Sequence, residues 1–382
     1  MLSQLRIAII GGGPCGLTLA RLLECKGIAY TVFERDSSAT SNEAAGGSLD
    51  IHAETGQRAL REAGLIEEFK KFARYDDTAV AIADKHGKRV LEMGQERDAP
   101  EIDRSDLRRI LLESIPKDKI KWGHALASAQ LGEDGGPVLK FANGAVLDGY
   151  RLVVGADGAW SKVRRLVTQA TPQYSGKTFL ESRINTSNPL YATTASKVGP
   201  GMLLSVGAGR PIVTQRQGNG SYRNYYGLQV PVDFFRKSTS VDIQNAEATR
   251  DMLLRDFYAD WADEYKELIR HATDFRVWPL HTLAVEDMDW KSVPGVTLVG
   301  DAAHLTIPNG EGVNLAMTDA LELVSKITEH SGTEDHLERA VRNYEAEMFT
   351  RGRATIGEGL VMAEGMFGES PESFLQLMGM GG

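Results

Sequence analysis

The sequence has few cysteines, no long apolar run and fewer basic than acidic residues. Its two cysteines, Cys15 and Cys25, are too few for a disulfide framework or a cysteine-rich metal site, and we expect no metal. No apolar stretch approaches the roughly 18 residues that a membrane-spanning helix requires. The net charge of −9 argues against nucleic acid as a partner, because such binding depends on Lys and Arg that neutralise phosphates. No basic segment followed by a long apolar one precedes the first strand, so we expect a soluble cytoplasmic protein.

The sequence does contain glycine-rich motifs, and the first of them lies near its start. A short apolar run at residues 5–10 is typical of a buried parallel strand. Gly11, Gly13 and Gly16 then give the G-x-G-x-x-G spacing, which combines a tight turn, a close approach to a pyrophosphate and close helix packing. The helix that begins there directs its N-terminal N–H groups at phosphates. Cys15 lies at this helix N-terminus, which can lower a thiol pKa; the alternative is a small residue that fills a tight turn.

An acidic residue completes the first motif. A second apolar run ends at Glu34, 18 residues beyond Gly16, where a carboxylate can accept from both ribose hydroxyls. Glu34 would repel a 2′-phosphate, so the motif predicts the adenosine of FAD or NAD rather than of NADP. A glycine-rich turn without a ligand is the alternative.

Two further motifs follow in the middle and near the end of the chain. An apolar run at residues 153–155 leads into Asp157 and Gly158, and a second run at 296–299 leads into Asp301. The segment 308–314 contains two glycines, Gly310 and Gly312, and a helix that begins at Gly312 would stabilise negative charge, for example on a reduced flavin. His304 has either a structural or a catalytic role, of which the structural one is the commoner. The three motifs in this order predict an extended FAD molecule held across a discontinuous domain.

The remaining patterns predict the domain organisation. The early and late segments share the parallel-strand pattern, whereas residues 178–233 are rich in Thr, Tyr, Gly and Asn and predict an antiparallel sheet without a helix. One helix is expected over 55–72, a helical stretch over 246–271 and a long helix over 336–362. We therefore predict an α/β fold: a discontinuous Rossmann-like FAD-binding domain (1–75, 100–172 and 273–330), an inserted antiparallel-sheet substrate domain (76–99 and 173–272), and a C-terminal helix and tail (331–382).

With these motifs, nearly the whole chain resembles the class A FAD-dependent aromatic monooxygenases, which are similar to para-hydroxybenzoate hydroxylase. Within them it looks most like the tetracycline-inactivating flavin monooxygenases. The resemblance implies that FAD is held by Gly11, Gly13, Gly16, Glu34, Arg35, Asp50, Arg104, Asp157, Gly158, Asp301, Pro308, Gly310, Gly312, Val313 and Asn314.

The resemblance also implies a substrate site at Glu181, Arg210 and Tyr225. Glu181 and Tyr225 stand where the tetracycline enzymes carry Gln and His, and Glu43 replaces an Arg associated with NADPH. The loop at Pro308 is one residue shorter. The sequence therefore leaves the identity of the substrate open among phenolic, polyketide and tetracycline-like molecules.

The mechanism implied by the resemblance uses NADPH as co-substrate. NADPH reduces FAD, the reduced flavin and O2 form a C4a-hydroperoxide, and one oxygen atom passes to an electron-rich carbon. The cofactor carries this chemistry, so no catalytic side chain is assigned. We expect a monomer or homodimer. The alternatives are an FAD-dependent reductase or dehydrogenase without oxygen insertion, and a non-catalytic flavin-binding protein.

Overall fold

A computed structural model describes residues 5–41, 46–76, 78–94, 97–237, 242–329 and 336–380. Its strands are β1 (Arg6–Ile10), β2 (Ala29–Phe33), β3 (Ser48–Asp50), β4 (Val80–Asp84), β5 (Arg89–Met93), β6 (Glu101–Asp103), β7 (Ile120–Lys121), β8 (Leu126–Leu131), β9 (Pro137–Phe141), β10 (Val146–Leu147), β11 (Leu152–Gly155), β12 (Gln173–Ile184), β13 (Met202–Val206), β14 (Ile212–Arg216), β15 (Tyr222–Gln229), β16 (Thr273–Thr282) and β17 (Val296–Leu298). Its helices are α1 (Pro14–Cys25), α2 (Gly56–Glu62), α3 (Ile66–Lys70), α4 (Arg104–Glu113), α5 (Tyr191–Val198), α6 (Phe234–Lys237), α7 (Ala246–Met252), α8 (Asp263–Arg270), α9 (Asp301–His304), α10 (Gly312–Glu329), α11 (His336–Met366) and α12 (Pro371–Leu377).

The first sheet is parallel. Its five strands lie in the order β17-β11-β1-β2-β7, and every neighbouring pair runs in the same direction. Residues of its central strands are buried on both faces: Ile7, Ile9 and Val153 each have 0% exposure. Near-continuous apolar strands are what a parallel sheet covered on both faces requires. The predicted Rossmann-like sheet is confirmed.

The strand order brings the motifs together. The glycine loop follows β1, Glu34 follows β2, Asp157 follows β11 and Asp301 follows β17. Parallel strands end at the same edge of their sheet, so all four segments converge at the carboxyl edge. This edge is where ligands bind in open parallel sheets of this kind.

The second sheet is mostly antiparallel. Its seven strands lie in the order β16-β12-β15-β14-β13-β4-β5, and β13 with β4 is its parallel pair. One face packs under α7 and α8 through a cluster that includes Leu180, Tyr226 and Trp261. On the opposite face, Phe179 packs against Phe367 near the end of the C-terminal helix. The predicted inserted sheet is thus confirmed, with a helical layer on one side of it.

Several elements differ from the sequence-based expectations. The helix expected over 55–72 is two helices, α2 and α3, because Gly64 between them has a φ of +66°. The region 178–233 contains the helix α5, and the tail contains α12, which begins with a capping box formed by Ser370 and Ser373. Strand β16 pairs with β12 in the second sheet, although residues 273–282 were assigned to the FAD-binding domain. The domain boundaries themselves stay a prediction.

The C-terminal helix α11 closes the open edge of the parallel sheet. The Tyr344 hydroxyl donates a hydrogen bond of 2.9 Å to the carbonyl oxygen of Leu298 in β17. The Thr297 hydroxyl donates to Glu345 Oε1 over the same distance. Within the ranges described, no helix is both long and apolar enough to cross a membrane.

Two glycines of α11 give a matched test of its packing. A Cβ at Gly359 would lie 2.1 Å from Thr306 Oγ1 and 3.0 Å from the Ile307 carbonyl oxygen, whereas a Cβ at Gly357 would meet no atom within 4 Å. We expect Gly359→Ala to lower the free energy of unfolding by about 1–3 kcal/mol through overpacking. Gly357→Ala should raise it by about 0.5–1 kcal/mol, because alanine favours the helix. Urea denaturation measures both, and equal effects of the two variants would contradict this packing.

Candidate active site

The glycine loop after β1 leaves room for a ligand at one position and none at two others. A Cβ at Gly11 would lie 2.3 Å from the Ala156 carbonyl oxygen, and one at Gly16 would lie 2.1 Å from the Gly11 carbonyl oxygen. A Cβ at Gly13 would meet nothing within 4 Å. Gly13 is also the N-cap of α1, and no side chain caps that helix. The first turn of α1 therefore presents free N–H groups to open space, which suits a phosphate.

Glu34 lies under this loop. Its carboxylate, which is 6% exposed, accepts a short hydrogen bond from the Gly12 N–H and one of 2.9 Å from the Asp36 N–H. Each carboxylate oxygen has a further lone pair for a ribose hydroxyl. The neighbouring Arg35 is exposed.

Arg108 is a further residue of the loop that sequence reasoning missed. Its guanidinium donates to the Gly12 carbonyl oxygen over 3.3 Å and to the Ala39 carbonyl oxygen over 2.7 Å, and it forms an ion pair with Asp36 at 3.3 Å. It follows Arg104 by four residues on α4, hence on the same face of that helix. That spacing is the signal that could have found it.

A buried arginine joins the middle motif to the late one. Arg164 is 2% exposed, and its guanidinium donates to the carbonyl oxygens of Asp301, Ala302 and Ala159 over 2.8, 2.8 and 2.9 Å. Burial lowers its pKa. Because Arg164 fixes the backbone of both motifs, it sets the spacing between Asp157 and Asp301. No sequence motif had indicated it.

Asp157 and Asp301 have opposite environments. Asp157 accepts from the Ser161 hydroxyl at 2.6 Å and from the Lys162 N–H at 2.8 Å, and burial raises its pKa despite these bonds. Asp301 is exposed, and no residue in the described ranges forms a hydrogen bond or ion pair with its carboxylate. Gly158, with a φ of +78°, has open space where a Cβ would lie. Asp301 is therefore the acid that can accept from a ligand.

His304 is part of a buried ion cluster behind Asp301. Its Nε2 lies 2.5 Å from Asp319 Oδ2, and Asp319 also receives hydrogen bonds from the Gly300 N–H at 2.9 Å and from Arg351 at 3.1 Å. Burial alone would raise the pKa of Asp319, but the His304 and Arg351 cations lower it below its usual range. Burial would lower the pKa of His304, but the Asp319 carboxylate raises it above its usual range. These contacts favour the structural role for His304.

Hydrogen bonds join the start of α10 and the loop before it to the end of β3 and the segment that follows β3. The buried Asn314 side chain accepts from the His52 N–H and donates to the Asp50 carbonyl oxygen, both over 2.9 Å. His52 Nε2 lies 2.8 Å from Asp50 Oδ2, and its Nδ1 lies 3.1 Å from Glu311 Oε1. Hydrogen bonds that the His52 ring donates to Asp50 and to Glu311 raise the pKa of His52 to about 9. His52 therefore carries a positive charge between two carboxylates near neutral pH.

The start of α10 is open. Pro308 and Gly310 are exposed, and a Cβ at Gly312 would meet no atom within 4 Å. The first hydrogen bond of α10 runs from the Leu315 N–H to the Glu311 carbonyl oxygen, so the N–H groups of Gly312 and Val313 precede the helical ladder. Free N–H groups and the helix dipole favour negative charge at this point.

The second sheet contributes two of the expected substrate residues. Glu181 and Tyr225 are paired on neighbouring strands β12 and β15. Glu181 is 2% exposed, accepts from Trp278 Nε1 at 2.8 Å and forms an ion pair with Arg223 at 3.1 Å. The Tyr225 ring stacks edge-on against Phe179 at 5.8 Å, and burial raises the pKa of its phenol.

Arg210 lies away from this pair. Its guanidinium donates to Asp260 Oδ1 over 3.0 Å, and Lys85 pairs with the same carboxylate over 2.8 Å. The structure therefore brings Glu181 and Tyr225 together and does not bring Arg210 to them. Glu43 lies outside the described residues.

The thiol of Cys15 does not have the lowered pKa that its helix position suggested. It donates a hydrogen bond of 3.1 Å to the Ala316 carbonyl oxygen, and burial, together with Asp319 and Asp301, raises its pKa. Desolvation here outweighs the helix dipole. Cys15 is thus a small packing residue between α1 and α10.

Comparison with known proteins identifies the class. A family model described as "FAD binding domain" matches residues 4–357. The monooxygenase asqM of Emericella nidulans is 30% identical, and the match covers 92% of this chain and 93% of that protein. The chain therefore belongs to this FAD-binding domain family and is an FAD-dependent monooxygenase. The resemblance to the class A flavin monooxygenases is confirmed.

Solved structures share the fold. Klebsiella pneumoniae HpxO, in complex with FAD and uric acid, superposes with a TM-score of 0.79 at 20% identity, over 99% of this chain and 93% of that one. The tetracycline destructase Tet(55) superposes with a TM-score of 0.74 at 20% identity, over 100% and 97%. At these identities the likeness concerns the fold alone.

The side chains and backbone of the site fit FAD. The uncapped N-terminus of α1 and the space at Gly13 suit its pyrophosphate, and the exposed Asp301 suits the ribityl hydroxyls. The open N-terminus of α10 suits the negative edge of a reduced flavin ring. We infer that Glu34 holds the adenosine ribose.

The His52 bridge gives a pH prediction. The folded pKa of about 9 exceeds the ordinary value of 6.5, so the bridge stabilises the fold fully below pH 6.5 and less as the pH rises through 9. The Arg97 guanidinium lies 3.2 Å from Asp50 Oδ2 and 3.2 Å from His52 Nε2. Its positive charge repels a protonated His52, and it shares the Asp50 carboxylate with that histidine. We expect His52→Gln to flatten the fall in melting temperature between pH 6.5 and 9. His86→Gln, on the exposed β4–β5 turn, is the control, and identical pH profiles of wild type and His52→Gln would contradict the bridge.

Proposed function

We propose that this chain is an NADPH- and O2-dependent monooxygenase that hydroxylates a phenolic, polyketide or tetracycline-like molecule. The observation that carries the proposal is an aromatic wall between the loop before α10 and the second sheet. Phe179, Phe367 and Ile307 belong to one buried cluster, with Tyr225 packed against it. Ile307 immediately precedes Pro308 of that loop, so a planar molecule lying against the wall would be beside the loop that the resemblance assigns to the flavin.

Polar groups beside this wall suit a hydroxylated ring. Glu181 can accept a hydrogen bond from a substrate hydroxyl, and the adjacent Arg223 forms an ion pair with its carboxylate. The Trp278 indole N–H holds the other carboxylate oxygen, so the orientation of Glu181 is fixed before substrate binds. Arg210 and Tyr225 were the other candidates, and of these Tyr225 adjoins Glu181 in register.

Each part of the chain has a defined task in such a reaction. When bound, FAD accepts hydride equivalents from NADPH and activates O2 for the transfer of one oxygen atom. The N-terminus of α10 stabilises negative charge at the ring edge. The aromatic wall orients the substrate and excludes water, and Glu181 holds its hydroxyl.

Mass spectrometry of the product tests the reaction class. The purified protein is incubated with tetracycline, NADPH and 18O2, with controls that lack NADPH or enzyme. A product heavier by one 18O atom is expected, because one atom of O2 enters the substrate. Phenolic and polyketide substrates are screened in the same way. NADPH oxidation that never labels any of these molecules would contradict the proposal and favour a reductase without oxygen insertion.

The proposed substrate contact at Glu181 is tested with two variants and a substrate that the wild-type protein is found to accept. Glu181→Gln keeps the size of the side chain but loses its charge, so we expect KM for the substrate to rise about tenfold, as for one lost charge-assisted hydrogen bond. Arg210→Gln is the matched control, since Arg210 pairs with Asp260, and its KM should stay within twofold of wild type (roughly 0.4 kcal/mol). An increase in KM for Arg210→Gln alone would place the substrate contact at Arg210 instead.

A further inference from the structure

A polar cavity of about 120 Å³ lies between the start of α4 and the second sheet. Its lining includes the side chains of Arg104, Arg183 and Arg223, together with Ser105, Asn219 and Asp103. The volume is below the roughly 150 Å³ of a cavity that holds benzene, so it suits a small polar group rather than an aromatic ring. The cavity therefore differs in kind from the aromatic wall around Phe179.

The charge in this cavity is positive although the whole chain is acidic. Three arginines face two carboxylates: Asp103, which is paired with Arg74 at 3.1 Å, and Glu181, which is shared by Arg223 and Arg183. Asp103 Oδ1 also accepts from the Gly218 N–H at 2.9 Å. An anion is the ligand that this balance of charge attracts.

Arg223 adds an unsatisfied donor. Its side chain is 6% exposed, its two terminal nitrogens contact Glu181 and the Gly46 carbonyl oxygen, and its buried Nε has no hydrogen-bond partner in the part of the chain that the structure describes. A buried polar atom without a partner is costly, which favours a ligand that supplies an acceptor.

The helix terminus points to phosphate in particular. Asp103 is the N-cap of the ten-residue helix α4, but its side chain makes no capping bond, because it is held by Arg74 and Gly218. The Arg104 N–H donates to the Gly47 carbonyl oxygen, so the N–H groups left without a side-chain cap beside the arginines are the following ones of the first turn, from Ser105 on. Helix N-termini and arginine forks together are a recurring arrangement for phosphate.

We propose that this cavity binds a phosphate group of the nicotinamide electron donor. The inference rests on the proposed use of NADPH. Glu34 excludes a 2′-phosphate from the glycine loop, so that phosphate needs a separate cationic site. The cavity lies one helical turn along α4 from Arg108, whose guanidinium contacts Gly12 of the glycine loop. Its lining also includes Gly46, which is close in sequence to Asp50, one of the residues that the resemblance assigns to FAD.

The test uses the FAD-loaded protein and adenosine 2′,5′-bisphosphate, measured by titration calorimetry without substrate or turnover. We expect binding that inorganic phosphate weakens by competition. Arg183→Gln should weaken it about tenfold, the effect of one lost charge-assisted hydrogen bond, with no change in FAD affinity. Arg255→Gln is the matched control and should bind as wild type does, because Arg255 is an exposed residue of the helical segment Leu253–Phe257 and pairs only with Asp256 among the described residues.

Arg223→Lys is the second variant, because it keeps the charge that faces Glu181 but loses the planar fork. If wild type does not bind the bisphosphate, or if both variants bind it as wild type does, the proposal is wrong. It is equally wrong if the variants lose FAD affinity instead, since the cavity would then serve FAD. If wild type binds the bisphosphate but NADPH does not reduce its flavin, the proposed electron donor fails while the phosphate site stands.

Discussion

The late half of the cofactor site depends on the buried carboxylate of Asp319. This group, with 0% exposure, receives the Gly300 N–H, the His304 imidazole and the Arg351 guanidinium. It thereby ties the loop after β17, the helix α10 and the helix α11 to one point. A buried charge is tolerated only with such full compensation, so the three segments hold each other in place. Asp301 can remain exposed for a ligand because the preceding residue, Gly300, is held in place by its hydrogen bond to Asp319.

The glycine motifs could be predicted from the sequence because their constraints are local. Strand, turn and helix follow from neighbouring residues, and Gly16 meets the carbonyl oxygen of nearby Gly11, although the space at Gly11 itself is closed by the distant Ala156. The partners that position the site are distant in sequence: Arg164 binds the backbone of Asp301, and Asn314 binds that of Asp50 and His52. Such pairs exist only once the sheet order is known. Gly64 is a case in which a local pattern misled the prediction. The helical pattern of residues 55–72 continues across this glycine, but in the structure the glycine ends one helix before the next begins.

The residues expected at the substrate show why likeness in sequence position differs from likeness in space. Glu181 and Tyr225 are neighbours because β12 and β15 pair in register. Arg210 lies in the turn before β14, where Asp260 and Lys85 determine its orientation. Its sequence position near the sheet said nothing about which side of that sheet its side chain would take. Pairing register, rather than distance along the chain, therefore decides which residues can share a substrate.

The segment around Gly46 and Gly47 links the two halves of the molecule. Arg223 from the second sheet donates to the Gly46 carbonyl oxygen, and the Arg104 N–H of α4 donates to that of Gly47 over 3.1 Å. A Cβ at Gly46 would lie 2.4 Å from Arg104 Cδ, and its φ is +98°, so glycine allows both the close approach of Arg104 and this backbone conformation. A movement of this segment would therefore shift the Glu181 partner and the start of α4 together. The proposed substrate contact at Glu181 and the proposed phosphate cavity thus share one short stretch of backbone as a neighbour.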